Sequence, residues 1–344
     1  MYKRAVKFRL DAPMPLHFLH TAAARTLSVR KVARLTEEEG EDLMRQIRWA
    51  DNDGEPYCPD CGCVALYRYK SRKIWKCKAC DRQFSLTSGT IFASRKLAIR
   101  DYLLAIALFC NGAKGISALQ LGRDLGCSYK TAFVFAHKLR EAMAPADDAR
   151  TVQGVVEVDG AYFGGFVKQT NYTKNRRDRR LAENQNGKRQ CVVVMRERNG
   201  KVLPFVVPTE DAAVPTVQQS VTRGSTVHAD EGPHWDKLHA HFKTERITHG
   251  DAFSDEGACI NMAEAFFSRM RRSEIGVHHH LAGPYLADYS NESAWRENYR
   301  RVSNGRQFHM LTSRGVAMPP SPRWAGYWQR HLPEKAGKSP SAEG

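Results

Sequence analysis

Two cysteine knuckles constrain this chain more than any other feature. Cys58-Pro-Asp-Cys61 and Cys77-Lys-Ala-Cys80 are C-x2-C pairs separated by fifteen residues. Each pair can present two thiolates to one ion, and two such pairs complete a tetrahedral four-sulfur shell, the usual structural zinc site. A closed shell leaves no open coordination position, so the zinc expected here holds a ribbon together and carries no chemistry. Cys63 is a spare thiol that breaks the symmetry of the pattern. The remaining cysteines, Cys110, Cys127, Cys191 and Cys259, are scattered. Nothing in that distribution resembles a disulfide framework, and the clustering points to metal and a reducing compartment.

Charge then narrows the partners. Lysine and arginine number 53 against 37 acids, a formal surplus of +16. A surplus of that size favours a polyanion, whether DNA, RNA or an anionic membrane surface. The longest apolar runs fall well short of the roughly 18 residues that a membrane span requires. The basic N-terminus has no apolar stretch behind it, so no secretory signal is expected.

The chain divides by pattern into five regions. Residues 1–54 form an N-terminal helical region, in which Thr36 and Glu39 have capping-box spacing ahead of apolar Leu43, Met44 and Ile47. Residues 55–92 hold the ribbon, with strands expected at Tyr67–Tyr69 and Lys73–Trp75, and Arg68, Lys70, Arg72, Lys73 and Lys76 as a basic surface. Residues 93–148 are helical, with breaks at Asn111-Gly112 and Gly126-Cys127 and a linker from Pro145. Residues 149–315 alternate strands and helices, and 316–344 form a tail whose end is too rich in Pro, Lys, Ser and Gly to pack. Within the third region, Ile116–Leu125 and Ser128–Leu139 flank a glycine turn, as in a helix-turn-helix. Phe133, Ala136 and Leu139 mark its packed side, leaving Tyr129, Lys130, Thr131 and His137 to face a groove; an ordinary helical hairpin is the alternative.

The fourth region carries the acids. Val155–Val158 is a strand running straight into Asp159, and a short strand from Ser225 to His228 ends at Asp230. Cys191–Met195 and Val202–Val207 flank Asn199-Gly200, a hairpin signal. Helices are expected over Ala212–Val221, Asn261–Arg272 and Leu281–Arg300, and a further short strand near residues 245–248. On the Asn261–Arg272 helix, Met262, Ala263, Phe266, Phe267 and Met270 form an apolar stripe, while Glu264, Ser268 and Arg271 fall on another side. Asp159, Asp230 and Glu264 converging from two strand ends and a helix would bind two divalent ions, and Mg²⁺ suits such an all-oxygen set in phosphodiester chemistry.

Taken in order, the ribbon, the helical segment, Val155-Val-Glu-Val-Asp-Gly-Ala-Tyr-Phe-Gly-Gly165, His228-Ala-Asp-Glu231, Asn261-x-x-Glu-Ala-Phe-Phe-Ser-x-x-Arg-Arg272, Gly276–His280, Leu286–Tyr289 and Trp295–Arg301 resemble the IS1595-type insertion-sequence transposases with an ISXO2-like DDE domain. The resemblance spans about residues 30–310. It implies an α+β to α/β chain: zinc ribbon and helix-turn-helix-like segment, then an RNase H-like mixed-sheet catalytic domain. It also implies an enzyme that cleaves element ends and joins them to target DNA, with Asp159, Asp230 and Glu264 as the catalytic, Mg²⁺-binding triad. Double-stranded DNA is the implied partner, a homodimer or higher oligomer on DNA the implied assembly, and the nucleoid of a prokaryotic cytoplasm the implied location. In that motif the position after the first Asp is often acidic; here it is Gly160. Glu157 and Glu231 are the nearest supporting carboxylates by sequence, and Asp255, Glu256 and Glu274 are neighbours that compete with Glu264 for the third place.

Other basic features fit DNA. Between Lys168 and Arg189 stand eight cations, among them Lys174, Arg176, Arg177, Arg179, Arg180 and Lys188, with no hydrophobic period, as expected of a loop that clamps a phosphate backbone or of a solvated charge run. Arg271 and Arg272 follow Glu264, His278–His280 follows them, and Arg296, Arg300 and Arg301 lie on a late helix, facing either DNA or internal acids. Two rival functions share these features: a non-catalytic regulator derived from a transposase, and a structure-selective nuclease without strand transfer.

Overall fold

In the computed structural model the described residues are 17–145, 150–165, 170, 172–178, 181, 184, 187–247 and 259–330. After a short α1 (Val29–Val32), α2 (Glu37–Arg48) starts at the expected capping box: Thr36 Oγ1 accepts from the Glu39 amide at 3.2 Å and Glu39 Oε2 accepts from the Thr36 amide at 2.8 Å. Both reciprocal bonds satisfy amides that a helix start leaves without partners. Met44 and Ile47 are buried, as their spacing requires.

The ribbon is a three-stranded antiparallel sheet of β1 (Leu66–Tyr69), β2 (Ile74–Cys77) and β3 (Gln83–Ser85). The third strand is absent from the sequence reading, because three residues are too few for an alternation to register. Trp75 stacks on Phe84 at 5.8 Å and meets the edge of Trp49 at 5.6 Å, which ties the ribbon to the end of α2.

Next come α3 (Ile99–Asn111), α4 (Ala118–Asp124) and α5 (Tyr129–Met143). Ser117 and Ser128 cap the last two, each accepting the amide three residues on, and Gly126 supplies a φ of +62° in the turn between them. A regular residue there would be strained, so the glycine sets the break.

A five-stranded mixed sheet follows: β4 (Val155–Phe163), β5 (Gln190–Glu197), β6 (Val202–Val207), β7 (Thr226–Asp230) and β8 (Lys243–Ile247), with α6 (Val214–Ser220) leading into β7. The spatial order is β6-β5-β4-β7-β8, antiparallel on the β5 side of β4 and parallel on the β7 side. This is the order and direction of an RNase H-like sheet. The β5–β6 hairpin turns at Asn199-Gly200, as expected.

Alternation along β4 separates two layers. Val156 and Val158 pack with Val214, Val217 and Trp235 on one face. Ala161 and Phe163 pack on the other with Phe266, Phe267 and Met270 of α7 (Asn261–Ser273). Two helices follow, α8 (Leu286–Asn298) and α9 (Asn304–Ala317), then one turn, α10 (Tyr327–Arg330). The expected helix from Leu281 starts only at Leu286, since Gly283 has a φ of +61° and Pro284 cannot donate into a preceding turn.

Packing does not follow chain order at the C-terminus. Trp295, Phe308, Leu311 and Val316 join Leu103, Ile106, Phe109 and Leu139 in one core, so α8 and α9 close the helical unit built by α2, α3 and α5. Among the described residues, no helix is long and apolar enough to cross a membrane.

Candidate active site and metal-binding residues

The ribbon brings the four predicted thiols together. Cys58 Sγ lies 3.6 Å from Cys80 Sγ, and Cys61 Sγ lies 3.5 Å from both Cys77 and Cys80. Tetrahedral ligands at about 2.3 Å from an ion are separated by nearly that distance, so the set fits zinc. The Cys80 amide, against the opposing effect of burial and with help from the Ala79 amide, draws the Cys77 thiol down to about 6, which favours the thiolate that a metal needs. Cys63 turns away toward the Ala65 carbonyl.

Register aligns the two aspartates. Val155, Val156 and Glu157 of β4 pair with Thr226, Val227 and His228 of parallel β7. The same offset of 71 residues puts Asp159 level with Asp230, and strand alternation turns both toward the α7 face. Asp159 Oδ1 accepts from the Gly160 amide at 2.7 Å, and Asp230 Oδ1 from the Gly232 amide at 3.0 Å. Burial lifts the Asp159 carboxyl to about 7; the Gly160 amide opposes this, and the charges of Asp230, Glu210 and Glu264 add to it in that order. Half-buried Asp159 and Asp230, repelling each other and Glu264, form a hard-oxygen donor set that fits a divalent cation such as Mg²⁺. The acids are spaced more widely than the cysteines, the only group among the described residues whose ligand atoms all lie within 4.8 Å of one another.

Glu157 explains how the third acid is held. Two residues before Asp159 and on the same face, it is fully buried and accepts from the Met262 and Ala263 amides at 2.8 and 3.1 Å. Those are first-turn amides of α7, where a carboxylate meets both unpaired donors and the positive end of the helix dipole. One strand therefore carries Asp159 and anchors the helix bearing Glu264. Along α7, Ala263, Phe266, Phe267 and Met270 are buried and Glu264, Ser268 and Arg271 are exposed, as their spacing predicts. Glu274 is engaged instead with the Leu281 amide at 3.0 Å, whereas Asp255 and Glu256 lie outside the described residues. Glu231 is exposed.

A fourth acid escaped the sequence reading. Glu210, three residues beyond β6, lays its carboxylate over Gly160: a Cβ at 160 would sit 2.5–2.8 Å from Cγ, Cδ and Oε1 of Glu210. The glycine beside Asp159 was the signal available, since a missing side chain can mean that another residue needs the space.

The predicted DNA contacts fare unevenly. Tyr129 and Lys130 are exposed at the tip of α5. His137 is fully buried, contrary to expectation: it packs on Trp324 at 4.4 Å, and its Nδ1 lies 2.9 Å from Asp288 Oδ2. It stands four residues after Phe133 and so shares that packed stripe. Burial drives its pKa down to about 4, overriding the Asp288 hydrogen bond. With α8, α9 and residues 321–330 around it, α5 exposes its first turn rather than a whole face; the Trp328 indole donates to the Lys130 carbonyl at 3.1 Å. Arg176, Arg177, Arg271 and Arg272 are exposed, and Arg271 lies 5.0 Å from the Phe163 ring centroid. Lys168, Arg179 and Arg180 lie outside the described residues. In the ribbon, Lys73 and Lys76 pair with Glu41 and Asp81. Arg296 is committed to Glu292, and His278 packs on Tyr289 at 4.7 Å. A cavity of about 580 Å³ lies on the other side of α7, lined by Phe266, Met270 and Tyr289 and by none of the acids.

Residues 151–298 match the family described as the ISXO2-like transposase domain, and residues 35–83 match the transposase zinc-ribbon domain. The chain is 27% identical over 269 residues to an uncharacterized protein in the transposable element ISH50 of Halobacterium salinarum, a match covering 73% of this chain and 89% of that one. No solved structure matches.

Proposed function

We propose that this chain, an IS1595-type protein in which a transposase zinc ribbon precedes an ISXO2-like transposase domain, is a DNA transposase that binds insertion-sequence ends and performs metal-dependent strand cleavage and strand transfer. The observation that carries this reading is the β4–β7 register, paired from Val155–Thr226 to Glu157–His228, whose offset carried two residues further brings Asp159 level with Asp230, with Glu157 of the same strand anchoring the helix of Glu264.

In this reading residues 55–92 and 93–148 recognise the element end and residues 149–315 perform the chemistry. Asp159, Asp230 and Glu264 would hold Mg²⁺, which when bound activates a water or 3′-hydroxyl and neutralises charge on the phosphate under attack. β4 and β7 hold two carboxylates on rigid neighbouring strands, and Glu157 fixes the third through α7, so geometry is set before DNA arrives. Arg271 and Arg272, about two turns beyond Glu264, contact the DNA backbone; Arg176 and Arg177, with Arg179 and Arg180 of the same basic stretch of sequence, clamp it; Tyr129 and Lys130 enter a groove from the first turn of α5. The protein works as a homodimer or higher oligomer on DNA, at the nucleoid.

The test compares wild type with Asp159→Asn, Asp230→Asn and Glu264→Gln on element-end DNA in Mg²⁺. Each variant retains end binding, and cleavage and joining fall together by orders of magnitude. Normal cutting by all three refutes the nuclease; normal cutting by Glu264→Gln alone refutes the third assignment. A wild-type protein that binds ends and never cuts them is the non-catalytic regulator.

A further inference from the structure

Glu210 stands where no motif looks for it. It follows β6, and its carboxylate reaches across to the backbone of β4 at Gly160, the residue next to Asp159. Any side chain at 160 would collide with it, since a Cβ would come within 2.5 Å of Cγ and 2.8 Å of Oε1. Two groups hold the carboxylate in place: the Cys191 thiol lies 3.8 Å from Oε1, and His234 Nε2 lies 3.3 Å from Oε2. His234 in turn leans over Gly232, whose absent Cβ would meet the imidazole at 2.5 Å and Asp230 Oδ1 at 3.0 Å. Glycines one residue after Asp159 and two residues after Asp230 thus leave room for one linked pair, Glu210 and His234.

We propose that Glu210 is a fourth metal-binding carboxylate of the acidic site, brought over Gly160 to share a divalent ion with Asp159; this rests on the reading of Asp159, Asp230 and Glu264 given above. Electrostatics agree with the placement. Glu210 raises the Asp159 carboxyl more strongly than Glu264 does, so it is the closer neighbour in effect. Burial, opposed by the His234 charge and reinforced by Asp230, raises the Glu210 carboxyl itself. A carboxylate kept half-buried among like charges is unfavourable without a cation; His234 lies against one oxygen, Oε2, while the other, Oε1, meets the weak Cys191 thiol donor. Gly160 is then a requirement of the ligand geometry: the space is kept clear for an acid arriving from another element.

The experiment is calorimetric titration of the zinc-loaded, full-length protein with Mn²⁺, together with melting in the presence and absence of Mn²⁺. Glu210→Gln weakens Mn²⁺ binding roughly 10- to 100-fold and reduces the Mn²⁺-induced rise in Tm, while Tm without divalent ion is unchanged or higher. Gly160→Ala reproduces the binding loss, because its methyl group displaces the carboxylate, and adds little to Glu210→Gln. Wild-type Mn²⁺ affinity in Glu210→Gln overturns the assignment, and so does a fall in its metal-free Tm with Mn²⁺ affinity preserved, which marks a structural residue. Asp159→Asn separates the two levels: if it loses Mn²⁺ while Glu210→Gln does not, only the fourth ligand falls; if it also binds normally, the acidic site itself falls.

Discussion

Replacing Glu292 with glutamine tests how α8 is locked onto α5 within the helical unit. Glu292 on α8 is buried between two guanidiniums: Arg140 Nε of α5 at 2.6 Å from Oε2, and Arg296 Nη2, one turn on, at 2.6 Å from Oε1. Arg140 is 1% exposed. Burial alone would raise the Glu292 carboxyl, but Arg140 and Arg296 outweigh it and hold the group at about 2, against 4.5 for an isolated glutamate. Held there, the carboxylate contributes about 3 kcal/mol to folding at neutral pH. Removing one member of a buried ion pair is independently worth about 3–5 kcal/mol, because the partner charge stays in a low-dielectric site. Gln preserves volume, so no cavity confuses the result. Equilibrium urea unfolding at pH 7, followed by fluorescence of buried Trp295 and Trp324, should show a loss of about 3 kcal/mol in the transition of the helical unit. The sign with pH is fixed: a lowered carboxyl stabilises above about 4.5, and that contribution disappears as pH falls toward 2. Wild type and Glu292→Gln should therefore converge at low pH. A loss below about 1 kcal/mol at pH 7, the level of a surface pair, would refute the argument, as would parallel curves throughout the acid range.

Three shorter predictions follow from other parts of the molecule. Purified protein should carry one zinc per chain by elemental analysis, and Cys77→Ser should lose it and unfold the ribbon while the mixed sheet keeps its own melting transition. Without divalent ions, stability should fall as pH rises from about 4 to 7, because an acid raised to about 7 binds its proton more tightly folded than unfolded; Asp159→Asn should flatten that slope in melting curves. Gly315→Ala should cost about 1–3 kcal/mol in urea unfolding, since its Cβ would meet the fully buried Phe92 ring at 2.3 Å.

Local order was legible wherever its cause lies within a few residues. Knuckle spacing announced the thiolate cluster, Thr36 and Glu39 announced a helix start, Asn199-Gly200 a hairpin, and the apolar run stopping at Asp230 a strand end, whereas β4 runs on past Asp159 to Phe163, where pairing with β5 continues. The α7 stripe was readable too, because a period of 3.6 assigns every residue to a side. Periodicity does not say what packs against a side. His137 was therefore placed toward a groove until residues from α8 and the C-terminal segment covered it, and Glu157 was a supporting carboxylate without a known partner until the amides of α7 arrived over it. The closure of the helical core by α9, nearly two hundred residues after α3, and the meeting of Glu210 with Gly160 across fifty are long-range contacts, and only the folded chain's shared burial of apolar surface and excluded volume could decide them.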